Sequence, residues 1–301
     1  MREIVVISGK GGTGKTSLAA AFADLARNAV ICDLDVDAPD MHLLLDPLTE
    51  SREDFISGHE AVIDKDACTG CGTCAAMCRF GAVREAGGTF EIDPARCEGC
   101  KVCVAFCPAG AVAFPEKLCG EWYVSQTRFG TMVHARLNPG EENSGRLVAL
   151  LKNKARDIAA SEGQEIILCD GAPGIGCPVI SSLSGADLAV AVTEPSPSGL
   201  HDLERVLGLC GHFRIPACVI INKCDLNAEK ARQIEALCAR GGHEIAARLP
   251  HDTIMFEAML RARAVTELPD TPFAGLLRQA WKRMTALAWA AKPKPLEAAK
   301  P

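Results

Sequence analysis

Residues 8–16 read SGKGGTGKT; the apolar run Ile4-Val5-Val6-Ile7 precedes them, and residues 15–27 carry Leu18, Phe22, Leu25 and Ala26 at helical spacing. A buried strand that turns through glycines straight into a helix is the opening unit of an α/β fold. The spacing is GxxxxGKT, with Gly9, Gly14, Lys15 and Thr16 in the defining places. Glycines at these places let backbone N–H groups crowd around phosphate oxygens, the lysine reaches the β- and γ-phosphates, and the threonine hydroxyl ligates Mg²⁺. Lys10, Gly11, Gly12, Thr13 and Ser17 complete the expected phosphate-binding set.

Later strands end in residues suited to the same site. Residues 29–33 form a short apolar strand that runs into DLDVDAP, with Asp33, Asp35 and Asp37 alternating, and residues 165–170, EIILCD, end in Asp170 before Gly171-Ala172-Pro173-Gly174. In an open α/β sheet, side chains leaving the carboxyl ends of strands collect beside the bound ligand. The competing reading of DLDVDAP is a solvated acidic turn. Residues 187–192 and 216–221 are further strands, and the second delivers Asn222-Lys223-Cys224-Asp225. Those four letters match a guanine-reading NKxD loop, in which a carboxylate accepts from guanine N1–H and the exocyclic amine.

The composition changes between residues 58 and 115. Of sixteen cysteines, eight fall in two runs, Cys68, Cys71, Cys74 and Cys78, then Cys97, Cys100, Cys103 and Cys107, both spaced C-x₂-C-x₂-C-x₃-C. The halves repeat at an offset of 29 residues: Ile63-Asp64 matches Ile92-Asp93, and Gly81-Ala82-Val83 matches Gly110-Ala111-Val112. With no export signal, such spacing points to metal rather than disulfides. Two Cys₄ zinc sites would satisfy the ligand count, but the three-plus-one pattern with Pro108 after the last cysteine resembles a bacterial ferredoxin carrying two [4Fe–4S] clusters. In that arrangement the fourth cysteine of each run serves the other cluster. The resemblance therefore implies one cluster on Cys68, Cys71, Cys74 and Cys107, and a second on Cys97, Cys100, Cys103 and Cys78. Arg79 stands where the second run has Pro108, which places a positive charge beside Cys78.

Lys10 directly after Gly9 gives KGGTGKT, the variant loop that resembles the MinD, ParA, Mrp and nitrogenase iron-protein group of dimerising P-loop ATPases. With DLD, DGAPG and the NKCD loop following in order, the resemblance covers nearly the whole chain and extends to cobyrinic acid a,c-synthase-like members with an inserted ferredoxin domain. It implies a doubly wound, mainly parallel sheet: ATPase segments at 1–57 and 117–291, a ferredoxin-like α+β module at 58–116, and a disordered tail at 292–301. It also implies roles. Lys10 acts across a nucleotide-sandwich dimer, Asp33 and Asp170 hold Mg²⁺ with Thr16, and Asp35 orients the attacking water. Asn222 contacts the base, with Pro250 to Asp252 beside it. The family context favours ATP, the NKxD letters favour GTP, and Asp225 decides between them.

The expected assembly is a homodimer, or a heterodimer with a related ATPase, that meets a redox or metal-cluster protein. A formal charge of −6 gives no reason to expect nucleic-acid binding. The absence of a signal-peptide pattern and of any transmembrane-length run leads us to expect a cytoplasmic protein. Residues 272–291 form an amphipathic helix, expected to pack on the sheet rather than on a membrane. Of the remaining cysteines, Cys119 and Cys177 are placed where a partner subunit or a further metal could be approached, and no histidine falls in a ligand-like cluster.

Overall fold

The structure is a computed structural model and describes residues 1–141, 143–269 and 271–291; the expected disordered tail lies outside the described residues. The chain forms two compact units. Unit 1 contains Met1–Glu53, Trp122–Arg136 and the described residues from Ser144 onward, and unit 2 contains Asp54–Glu121 and Leu137–Asn143. Unit 2 is wider than the compositional boundary at 58–116 because the chain enters and leaves it within strands, where composition does not change.

Unit 1 opens with β1 (Arg2–Ser8), α1 (Lys15–Leu25), β2 (Ala29–Asp33), α2 (Met41–Leu45) and the start of β3 (Leu48–His59). Unit 2 contributes β4 (Val62–Ile63), α3 (Thr73–Met77), β5 (Val83–Ala86), β6 (Thr89–Ile92), α4 (Val102–Phe106) and β7 (Val112–Ala113). The chain returns through β8 (Glu116–Thr127) and β9 (Gly130–Leu137), then continues with α5 (Ser144–Glu162), β10 (Ile166–Pro173), α6 (Cys177–Leu183), β11 (Leu188–Thr193) and α7 (Pro197–His212). It closes with β12 (Ala217–Ile221), α8 (Ala228–Gly241), β13 (Glu244–Arg248), α9 (Ile254–Leu260) and α10 (Pro272–Ala290).

Nine strands form one sheet in the order β13-β12-β11-β1-β10-β2-β9-β8-β3, and the pairings from β13 through to β9 are parallel. Central parallel strands are covered on both faces, so they are continuously apolar rather than alternating. Ile4, Val5, Val6 and Ile7 are accordingly fully buried. The chain reverses to either side of β1, and this switch in strand order is where an open α/β sheet binds its ligand. On one face α1 and α10 bury Phe22, Phe273, Leu277, Ala280 and Met284 against the sheet, with the Phe22 and Trp281 rings stacked at 5.8 Å. The apolar stripe of α10 is thereby spent on the core, as expected. Among the described residues no helix is long and apolar enough to cross a membrane.

At the opposite end of β1 from the glycine loop, a buried charge cluster ties α5 to the sheet. Glu3 meets Lys152 Nζ at 2.5 Å and Arg156 at 2.8 Å, and Lys152 also donates to the Ser184 carbonyl at 2.6 Å. Edge strand β3 was not anticipated. It holds Glu50, Arg52, Glu53 and Asp54 with most side chains exposed, so it shows neither an apolar run nor a clean alternation.

Unit 2 displays its sequence duplication as paired geometry. β4 pairs with β7 and β5 with β6. Asp64 N–H donates to the Ala111 carbonyl at 2.8 Å, and the repeat-related Asp93 N–H donates to the Ala82 carbonyl at 2.7 Å. Gly70 and Gly99 occupy equivalent turns at φ 69° and 58°, and a Cβ on either would fall 2.5 Å from a carbonyl oxygen, that of Gly88 and of His59 respectively. Only glycine fits both the dihedral and the space.

Candidate functional site

The glycine loop leaves the carboxyl end of β1 and caps α1. Gly14 sits at φ 89°, and a Cβ there would lie 2.6 Å from Asn222 Nδ2, so the loop and the end of β12 approach each other through a glycine. Gly11 and Gly12 face open space, whereas Gly9 is packed against the Asp202 backbone of α7. The Thr13 hydroxyl is buried with no hydrogen-bond partner. Ser17 Oγ, on the first turn of α1, lies 3.5 Å from Met259 Sδ of α9.

Lys15 is 6 % exposed and faces three carboxylates. Its Nζ lies 2.7 Å from Asp170 Oδ1, 3.6 Å from Asp35 Oδ2 and 3.4 Å from Thr16 Oγ1. Burial opposes its charge, but Asp170, Asp35 and Asp33 outweigh burial and hold the ammonium above its ordinary range. One lysine cannot balance three acids. Burial, then the Asp170 charge, push Asp33 up to about 8 against the pull of Lys15; burial likewise brings Asp35 to about 6. The second Asp170 oxygen is buried without a partner. An orphaned carboxylate oxygen and an orphaned Thr13 hydroxyl beside an acid-rich, lysine-bearing loop fit a Mg²⁺–phosphate group, which supplies both the missing positive charge and acceptors. Among the described residues no three His, Cys, Asp or Glu side chains converge on one ion.

Lys10 is tied elsewhere. Its Nζ donates to Glu194 Oε1 at 2.7 Å, Ser198 Oγ at 2.8 Å and Ser196 Oγ at 3.3 Å. Glu194 also meets Lys223 Nζ at 3.2 Å, and Lys223 donates to the Gly12 carbonyl at 3.3 Å. Partial burial would raise Glu194, but Lys10 and Lys223 hold it below the usual carboxylate range. The sequence reading did not single out Glu194, Ser196 or Ser198. The available signal was their place directly after β11, at the ligand-bearing end of the sheet.

The base-side residues are brought together. Asn222 Nδ2 donates to the Thr13 carbonyl at 2.8 Å, so this amide braces the phosphate loop. Asp225 Oδ1 accepts from His251 N–H at 2.6 Å, which joins the NKCD loop to the turn holding Pro250 and Asp252; Asp252 Oδ1 in turn accepts from Ile254 N–H at the start of α9.

In unit 2, Cys68, Cys71, Cys74 and Cys107 line one hollow, and Cys78, Cys97, Cys100 and Cys103 line a second. The fourth cysteine of each run thus faces the other run's trio. All eight thiols are free, and four thiols at each hollow match the ligand number of one iron–sulfur cluster. The Thr73 side chain, then its backbone, lower the Cys71 thiol from its ordinary range. Of the other two cysteines considered, Cys119 is buried and donates to the Ser57 carbonyl at 3.1 Å, and Cys177 is exposed at the start of the short α6.

Residues 4–265 match the model of the CobQ/CobB/MinD/ParA nucleotide binding domain. The chain belongs to that family. Its relatives include the uncharacterized proteins MJ0578 and MJ0579 of Methanocaldococcus jannaschii. MJ0578 is 36 % identical over 228 residues, covering 75 % of this chain and 79 % of the relative, and MJ0579 is 28 % identical over 253 residues, 74 % and 80 %. Among solved structures, the cell division ATPase MinD of Pyrococcus furiosus superposes with a TM-score of 0.56 at 17 % identity, covering 95 % of this chain and 99 % of that one. The septum site-determining protein MinD of Pyrococcus horikoshii, complexed with Mg-ADP, gives 0.57 at 16 %, covering 97 % and 99 %. At that identity the structural likeness establishes a shared fold. Family membership makes the chain a P-loop nucleotide-binding protein.

Proposed function

We propose that this P-loop protein binds and hydrolyses ATP and couples nucleotide-driven dimerisation to electron transfer through two [4Fe–4S] clusters. One cluster would be held by Cys68, Cys71, Cys74 and Cys107, and the other by Cys97, Cys100, Cys103 and Cys78. The observation that carries the proposal is the gathering of those cysteines into two separate four-thiol hollows with the fourth ligands exchanged, within a chain that also bears the phosphate loop. When bound, the clusters supply one-electron storage.

The nucleotide chemistry is assigned to residues already paired for it. Lys15 and the glycine-loop N–H groups would bind the phosphates, and Thr16, Asp33 and Asp170 would hold Mg²⁺, directly or through water. Arrival of the cation favours the ionised form of Asp33, which is otherwise held protonated by burial. Asp35 is ionised above about pH 6 and accepts a hydrogen bond from the attacking water. To reach a partner's phosphates Lys10 exchanges Glu194 for phosphate oxygen, one acidic partner for another. Asn222, Asp225, Pro250 and Asp252 form the base side. Asp225 has one oxygen committed to His251, which favours ATP over two-point reading of guanine.

Two substitutions test the nucleotide part. Under anaerobic conditions Lys15→Ala abolishes ATP-dependent oxidation or reduction of the clusters by a one-electron partner; transfer that continues unchanged removes the coupling. Lys10→Ala retains ATP binding and loses ATP-dependent dimerisation, and an intact dimer refutes the role across the interface. The second reading, a carrier that hands clusters to an acceptor, is disfavoured by two complete four-thiol sets, since release favours incomplete ligation. Iron retained by the holo-protein after incubation with an apo-acceptor and ATP excludes it.

A further inference from the structure

The two halves of unit 2 repeat at an offset of 29 residues, so each group around one hollow has a counterpart around the other. The backbone donors are matched. Ala111 N–H donates to Cys107 Sγ at 3.3 Å beside the first hollow, and Ala82 N–H donates to Cys78 Sγ at 3.4 Å beside the second. Two side-chain donors are not matched. Thr73 Oγ1 lies 3.4 Å from Cys71 Sγ where the repeat position is Val102, and the Thr69 side chain makes a further hydrogen bond to Cys71 where the repeat position is Glu98.

Charge differs too, and Glu98 and Lys101 line the second hollow. Glu98 and Lys101 replace Thr69 and Gly72, and Arg79 replaces Pro108. All three charged residues are exposed, and the Lys101 and Arg79 cations lie over the rings of Phe114 and Phe80 at 5.5 and 5.1 Å. Exposed charges of opposite sign are screened by salt, while a hydroxyl touching a ligand sulfur is not.

We propose that Thr73 sets the two clusters apart, making the one on Cys68, Cys71, Cys74 and Cys107 the more easily reduced, so that an electron entering unit 2 comes to rest there. The inference rests on the iron–sulfur reading above. Reduction adds one negative charge to a cluster and its thiolates, and an O–H donor on a thiolate sulfur stabilises the reduced form more than the oxidised form. The internal step is a one-electron exchange: the cluster on Cys97, Cys100, Cys103 and Cys78 is oxidised as the other is reduced. No bond is broken and no proton moves. Thr73 is a positioning residue for the electron, acting through Cys71.

The test is a dithionite redox titration of the anaerobic holo-protein followed by electron paramagnetic resonance, in about 0.5 M salt to suppress the exposed charges. Two one-electron waves are expected. Thr73→Val shifts the upper wave downward by about tenfold in its reduction equilibrium, which is about 59 mV for a one-electron couple, and leaves the lower wave in place. Thr73→Ser keeps the upper wave near its original position, and Val102→Thr raises the lower wave. Waves that ignore Thr73→Val, or a lower wave that moves with it, overturn the assignment. Iron and sulfide analysis on the same samples separates this from failure of the underlying reading: protein without two clusters overturns that reading and this inference together.

Discussion

The two units are held together by different means. Unit 1 buries a large apolar core, with β1 covered on both faces and α1 and α10 packed against the sheet, and its charged site is set into that rigid frame. The buried core cluster of unit 2 comprises Ala61, Ile63, Cys74 and Val112, and several of the side chains packed against it are cysteine. A small unit with so few buried apolar side chains needs staples, and clusters in the two hollows would provide them. Unit 1 thus has a core able to support its fold without ligand, whereas the fold of unit 2 would depend on the clusters proposed for its cysteines.

The largest effect that could break this contrast is removal of the proposed clusters. Chelation, or Cys74→Ser together with Cys103→Ser, is expected to lower hydrogen-exchange protection in β4 to β7 by about a hundredfold or more while β1, β10 and β11 keep theirs. Protection retained in both units would show that unit 2 has a self-sufficient core.

Next in size, Lys15→Ala leaves Asp170, Asp35 and Asp33 with no internal cation. Chemical denaturation of the nucleotide-free protein at neutral pH should report a loss of about 3 kcal/mol confined to unit 1. The loss shrinks toward pH 5, where Asp35 accepts a proton. A loss independent of pH would mean that the lysine contributes packing rather than charge.

A smaller effect separates the acids themselves. Asp33 is raised from its ordinary 3.8 to about 8, so the native state holds a proton that the unfolded chain has released, and stability falls as pH rises through that window. His134 is lowered from 6.5 to about 4 by burial, and its contribution runs the other way, lost as pH falls below 6.5. Between pH 6.5 and 8 the Asp33 slope is therefore not offset by His134. The nucleotide-free protein should lose on the order of 1 kcal/mol across it, and Asp33→Asn should flatten the profile. An unchanged slope in the variant would assign the titration to another group.

The smallest expected change concerns Lys10. Glu194→Gln weakens its internal tether and should lower the ATP concentration needed for half-maximal dimerisation by about threefold, as suits a partly exposed ion pair. A requirement that stays the same or rises would show that Glu194 does not hold Lys10 back.

Legibility in the sequence follows the same division. In unit 1 the strand ends carrying Asp33 and Asp170 could be read because buried parallel strands are unbroken apolar runs, and the helix at 272–291 because its stripe repeats at helical spacing. β3 was invisible for the opposite reason: an exposed edge strand rich in charge has no periodic signature. Glu194 and Lys223 belong to no spacing rule, and their ties to Lys10 and Gly12 depend on two strand ends meeting in space. In unit 2 the duplicated spacing pointed to the cysteine sets, and the fold places Cys78 and Cys107 around the hollows of the opposite runs. The difference between Thr73 and Val102 stood in the sequence, but it acquired meaning only from the contact with Cys71.

The central claim is that nucleotide at the phosphate loop is felt at the cysteine sets. Electron paramagnetic resonance of the anaerobically purified, reduced protein, recorded with and without Mg²⁺–ATP and repeated with Lys15→Ala, tests it most directly. The account predicts two [4Fe–4S] signals whose line shape or potential changes with ATP in the native chain and not in the variant. Identical spectra in the native chain with ATP demonstrably bound would contradict it.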